Sequence, residues 1–231
     1  MPRRSRAIVA GYCYHVMNRA NDKQRIFHDY SDYAAFAGFM AAAQQRYPIG
    51  ILATCLMPNH VHFVLWPSAD DEISRWVHWL FTNHASRHHR KYATVGRLWQ
   101  NRFKASAIQQ DQHLLRVMRY VERNALRAGL VPSAEDWPWS SLSWRNRCHP
   151  LLTPDPPPVA LPGDWTMQVN QPQTGAELDE LRDSIQRQRP IGEKDWVEIT
   201  AKSLGVEFSI RPKGRPRKAP EPGPTTMPLG L

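Results

Sequence analysis

The chain has 231 residues, 42% of them hydrophobic, with a formal net charge of +9 and a pI near 9.8. That length suits one ordinary domain with appendages or two small ones, and the apolar fraction is enough for a real core. No segment approaches the roughly 20 apolar residues of a membrane span, and the apolar stretch in the basic N-terminus is too short and interrupted for a signal peptide, so a soluble chain is expected.

The first element read from the pattern is a strand, "YCYHVMNR" (12–19), alternating and rich in β formers. A helix follows over 31–47, opening at Ser31 as N-cap candidate, with Ala35, Phe36, Phe39, Met40 and Ala43 at helical spacing. Residues 49–57 and 60–67 are two strands joined by Pro58-Asn59, a hairpin signal. A second helix spans 72–92, with Ile73, Val77, Leu80 and Phe81 on one face, and a fourth strand spans 104–110. A third helix covers 111–129, capped by Asp111 and ended by Gly129. The order β-α-β-β-α-β-α predicts an α+β fold with a ferredoxin-like, split β-α-β antiparallel sheet, helices on one face and the other face free.

Beyond Trp144 the composition changes. Seven prolines between 149 and 172 read as an extended linker or strap. Residues 174–188 open with a capping box, Thr174 and Glu177, and form a helix; 192–205 form a shorter one. The Pro/Gly-rich end reads as disordered. The expected layout is a folded domain over 1–148, a linker over 149–173, a helical extension over 174–208 and a basic tail over 209–231.

The charge is unevenly placed. Residues 1–150 hold 20 Lys/Arg against 10 Asp/Glu, whereas 151–231 hold 10 against 11. An excess carried by the folded part points to an acidic partner, most simply nucleic acid. Cys13, Cys55 and Cys148 are odd in number and widely spaced, which disfavours a disulfide scaffold and favours a reducing cytoplasm. The chain has no P-loop and no dinucleotide glycine fingerprint, so no nucleotide cofactor is expected.

The stretch "MPNHVHFVLWP" (57–67) sets two imidazoles into a strand-like apolar run, an arrangement that could grip a divalent metal. Residues two apart on a strand share a face. His60, His62, Val64 and Trp66 therefore form one row, and the apolar Val61, Phe63 and Leu65 the other. A bare H-x-H is more often a pair of semi-exposed polar residues than a metal site. In the third helix, Tyr120 and Asn124 lie one turn apart, with Arg116, Arg119, Arg123 and Arg127 around them. A helix tyrosine is commonly a core residue whose hydroxyl reaches water, and arginines commonly form a solvated face. His84, His88 and His89 read as facing solvent or phosphate.

Taken together, "YHVMNRANDKQRIF", "MPNHVHFVL", "WQNRFKASAI" and "RYVERNALRAGLV" resemble the HUH single-strand DNA transposases with one catalytic tyrosine, nearest the REP-associated tyrosine transposases. The resemblance covers about residues 8–145, and "RPIGEKDWVEITAKSLGVEFSIRPKGRPRK" looks like the extension found in that group. It implies His60 and His62 as ligands of Mg²⁺ or Mn²⁺, with Asn124 where relatives often place Gln. It implies Tyr120 as nucleophile, giving a 5′-phosphotyrosine and a free 3′-OH without ATP. It also implies a single-stranded partner folded into imperfect hairpins, and a cytoplasmic, nucleoid-associated protein. Monomer and homodimer stay open. Non-catalytic repeat binding and a relaxase or replication initiator are the competing readings.

The remaining candidates concern DNA contact. "GRLWQNRFK" interleaves Arg97, Arg102 and Lys104 with Trp99 and Phe103, cations for phosphates and aromatic faces for bases, although both rings could equally be core. Asn18, Arg19 and Asn21 follow the first strand and are candidates for contacts to a guide sequence. "PKGRPRK", with Arg215 and Arg217, resembles an AT-hook for a narrow minor groove, or else a solvated basic tail.

Overall fold

A computed structural model describes residues 8–147 and 149–211. Its centre is a four-stranded sheet of β1 (Cys13–Arg19), β2 (Gly50–Met57), β3 (His60–Trp66) and β4 (Lys104–Ile108), ordered β2-β3-β1-β4 with every neighbouring pair antiparallel. Met57 pairs with His60, so Pro58 and Asn59 form the two-residue turn the sequence signals. β1 enters between β3 and β4, which is the split β-α-β arrangement expected.

Side-chain alternation divides the sheet into two apolar faces. On one face Tyr14, Val16, Val61, Phe63 and Leu65 are buried against α1 (Tyr30–Arg46) and α2 (Glu72–Tyr92), through Phe36, Met40, Trp76 and Leu80. α1 begins one residue before Ser31, and its N-cap is Asp29, whose carboxylate accepts from the Asp32 amide at 3.1 Å. Ser31 sits in the first turn and donates its hydroxyl to Asp29 instead.

The second face is not free. Cys13, Leu52, Ala53, Cys55 and Val64 are buried there beneath Leu114, Val117, Met118 and Val121 of α3 (Gln112–Glu122). The α+β class and the antiparallel sheet hold, but helices lie on both faces. β2, "GILATCLM", is apolar at nearly every position, the signature of a strand covered on both sides.

The third helix is also two pieces. Asp111 caps α3 as expected, accepting from the His113 amide at 2.8 Å. At Arg123 the ψ of −3° interrupts the helix, which resumes as α4 (Asn124–Arg127), and Gly129 turns the chain with φ of +68°.

Beyond α4 the chain stays packed. Two helices were not foreseen: α5 (Ser141–Arg147), and α6 (Trp165–Asn170) inside the proline-rich segment. Buried Glu122 ties them to α3, accepting from Ser141 Oγ at 2.5 Å and Trp165 Nε1 at 2.7 Å and pairing with Arg145. α7 (Gly175–Arg187) has the expected capping box of Thr174 and Glu177, and α8 (Lys194–Ser203) follows. Between them Ile191 donates its backbone amide to Ala107 O of β4 at 2.8 Å and accepts from Gln109 N, just past that strand, at 2.9 Å. Cys148 and the AT-hook-like stretch with Arg215 and Arg217 lie outside the described residues.

Candidate active site

β3 aims His60 and His62 at the face that α3 covers, their rings 5.0 Å apart between centroids. Across from them α3 presents Tyr120, whose ring centre lies 5.9 Å from that of His62. The break at Arg123 starts α4 with Asn124, which donates from Nδ2 to the Tyr120 carbonyl at 3.3 Å. Arg127, one turn on, lies over the Tyr120 ring at 4.3 Å and donates to Asn124 Oδ1 at 2.6 Å.

These side chains line one cavity of about 520 Å³, together with Met17, Arg19, Met57, Lys104, Ala128 and, from α7, Arg182, Ile185 and Gln186. Among the described residues four cations and no carboxylate line it, a lining that attracts anions.

Each histidine is held from behind. Asn59 Nδ2 donates to the Lys23 carbonyl at 2.9 Å, which turns its Oδ1 toward His60 Nδ1 at 2.7 Å. His60 therefore carries its proton on Nδ1 and keeps a lone pair on Nε2. His62 Nδ1 lies 2.9 Å from His15 Nε2, a β1 residue only 1% exposed. Burial pushes the His15 imidazole down to about 3. Burial, then the charges of Arg19 and Arg127, push His60 down to about 4. His62 falls well below its ordinary range through burial and then the neighbouring His60 and His15. All three are neutral at physiological pH, the state in which imidazole can ligate a metal.

The donors fit a divalent ion as a partial set. They are two imidazole nitrogens and the Asn124 oxygen, which keeps one lone pair beyond its bond to Arg127. Among the described residues no group of three or more His, Cys, Asp or Glu is placed to hold a metal. A hard ion would take its remaining oxygens from water and substrate phosphate.

The candidate DNA contacts separate into groups. Arg19 and Lys104 line the cavity, where burial and then Arg19 lower the Lys104 ammonium. They also border a second hollow of about 400 Å³ with Asn18, Asn21, Arg97, Trp99 and Arg102, so these lie side by side. Trp99 and Phe103 are 9% and 8% exposed and belong to the core; the Trp99 ring stacks on Phe81 at 4.4 Å. Arg116 pairs with Glu180 at 3.1 Å, and Arg119 donates to the Gln171 and Pro172 carbonyls, so both hold the C-terminal extension. Arg123 is half-buried outside the cavity lining, its guanidinium lowered by burial first. His84 and His88 are buried, contrary to the solvent-facing expectation, His84 against Phe36 of α1 and His88 beside His28 and Tyr92, because their positions on α2 share the stripe of Val77 and Phe81. His15, Asn59, Arg182 and Gln186 escaped the sequence reading. The register of β1 on β3 and the docking of α7 bring them in.

The split β-α-β sheet thus turns the paired histidines of β3 toward Tyr120 of α3. The model of the IS200-like transposase family matches residues 8–124, half of the chain, and the chain belongs to that family. A Haemophilus influenzae protein that carries the name REP-associated tyrosine transposase is 29% identical over 108 residues, covering 42% of this chain and 61% of that protein. The chain thus aligns with less than two thirds of that relative's length. A solved structure of a REP-associated tyrosine transposase bound to a REP hairpin superposes with a TM-score of 0.53 at 18% identity, covering 75% of this chain and 92% of that one, and supports the fold. Among the described residues no helix is long and apolar enough to cross a membrane.

Proposed function

We propose that the protein is a metal-dependent single-strand DNA endonuclease and strand transferase that cuts beside hairpin repeats through a covalent 5′-phosphotyrosine. The observation that carries this reading is the convergence of Tyr120, Asn124, His60 and His62, from three separate elements, in one cavity ringed by Arg19, Lys104, Arg127 and Arg182. The relative bound to a REP hairpin supports hairpin DNA as the partner.

In the proposed reaction Tyr120 Oη bonds to the scissile phosphorus, the P–O3′ bond breaks, and the 3′ oxygen takes up a proton as the phenol loses one. The ester is exchanged rather than hydrolysed, so rejoining needs no nucleotide. Arg127, stacked on the ring and bonded to Asn124, holds the tyrosine and the amide together at the cavity wall. Arg19 and Lys104 hold the phosphate diester, and its flank reaches the hollow beside them. His60 and His62, with Asn124, would hold Mg²⁺ or Mn²⁺, which would draw charge from the phosphate oxygens. In this reading residues 1–148 form the nuclease domain, the proline-rich segment over 149–173 leads to a helical extension over 174–208, and the basic tail over 209–231 adds charge.

Tyr120→Phe tests the assignment, because it keeps the ring and deletes the one attacking oxygen. The variant should fold, bind a hairpin oligonucleotide and form no covalent adduct on a denaturing gel. An adduct that persists and maps to another tyrosine would overturn the nucleophile assignment.

A further inference from the structure

His15 is a histidine in a core position. β1 pairs with β3 so that Met17 faces His62 and His15 faces Val64, which sets His15 diagonally across from His62 on the same face. Its neighbours on that face, Cys13 and Val64, are fully buried, a setting where a leucine or valine would ordinarily serve. Among the described residues its buried Nδ1 has no partner, and the ring makes a single side-chain hydrogen bond, between Nε2 and His62 Nδ1 at 2.9 Å. The one polar contact of a buried imidazole therefore falls on a candidate ligand.

We propose that His15 is a positioning residue for the divalent-cation site, accepting the His62 Nδ1 proton so that the lone pair of His62 Nε2 is turned into the cavity. For His62 to bind through Nε2, its proton must reside on Nδ1, and a buried N–H there needs an acceptor. His15 Nε2 supplies it and fixes the ring plane; Asn59 does the same for His60 from the turn. His15's own proton then stands on Nδ1, buried without a partner among the described residues. This assignment rests on the metal-dependent reading above.

The test measures Mn²⁺ binding to the full chain directly, by the paramagnetic signal of free Mn²⁺, and in parallel the Mn²⁺ concentration that half-saturates hairpin cleavage. His15→Phe keeps a ring in the core and removes the acceptor. It should weaken Mn²⁺ binding and raise the half-saturating concentration by about 10–100-fold. Hairpin affinity in EDTA should not change. His15→Gln places an amide oxygen near the lost Nε2 and should recover most of the metal affinity. If His15→Phe does not fold, His15→Met, equally without a good acceptor, must show the same loss. Unchanged Mn²⁺ affinity in the folded apolar variant overturns the role of His15 and leaves the nuclease reading standing. A wild-type chain whose hairpin cleavage proceeds in EDTA at the rate seen with Mn²⁺ overturns both.

Discussion

Arg127 makes three contacts that bear on the proposed reaction: the Tyr120 ring face, the Tyr120 carbonyl and the Asn124 amide oxygen. A guanidinium suits this because its planar fork can stack and donate at once, which an ammonium cannot. Arg127→Ala should therefore lower the single-turnover cleavage rate by about 10²-fold or more, the usual size for losing a preorganised cation at developing charge. Arg127→Lys should restore only part of it. Cleavage at the wild-type rate in Arg127→Ala would remove Arg127 from the chemistry and leave it a packing residue. At this scale the sequence displays the candidate reacting residues and hides the residues that hold them. Tyr120 and Asn124 stand one turn apart and His60 and His62 two residues apart, so local periodicity displays them. His15 and Arg182 come from far along the chain, and neither periodicity nor spacing relates them to His62.

The elements follow the same division. The strands, α1, α2 and the capped starts of α3 and α7 were legible because alternation, helical spacing and Asp or Thr caps are local signals. The break at Arg123 and the helix α6 were not, since both depend on tertiary partners such as the contact of Trp165 with Glu122. The α1–α2 interface shows what a missed burial means physically. His84 packs against Phe27, Phe36 and Trp99, with ring centres 5.0 to 5.4 Å away. Burial, followed by the charges of His88 and Arg87, pushes it from 6.5 down to about 3, against an opposing pull from Asp32. A histidine with a lowered folded pKa stabilises the fold above its unfolded value and loses that contribution as pH falls. Unfolding free energy should thus hold above pH about 6.5 and then decline toward pH 4, with up to about 1.4 kcal/mol per pH unit from this group. His84→Phe should flatten that decline in denaturant titrations at several pH values; an unchanged slope would mean His84 is solvated. Asp32 acts in a lower window. Burial raises its carboxyl, but Lys91, Tyr92 and Arg87 outweigh this and hold it below the ordinary range, so its contribution is lost only on further acidification.

For the whole molecule, the charge read from the sequence becomes a location. The excess of Lys/Arg in residues 1–150 reaches the cavity as Arg19, Lys104 and Arg127, and α7 adds Arg182. Such a site repels a free divalent cation as it attracts a phosphate diester. Two imidazoles and an amide offer no negative charge of their own, so Mn²⁺ alone should bind weakly. A bound phosphate diester neutralises the arginines and contributes anionic oxygens, the donors a hard ion prefers. Metal and DNA should therefore bind with positive coupling, and linkage requires each to tighten the other by the same factor. In Tyr120→Phe, which should halt the reaction before cleavage, a hairpin that includes the single-stranded flank should raise Mn²⁺ affinity by about 5–150-fold over the protein alone, the usual span of such couplings. A hairpin trimmed of its flank brings no phosphate to the cavity and should leave Mn²⁺ affinity close to that of the free protein. Calorimetric titrations of Mn²⁺ into the three samples, corrected for Mn²⁺ binding to each DNA alone, make the comparison. Equal Mn²⁺ affinity with and without the flank would mean that the ion and the phosphate do not meet in this cavity, and the proposed catalytic arrangement would fall with it.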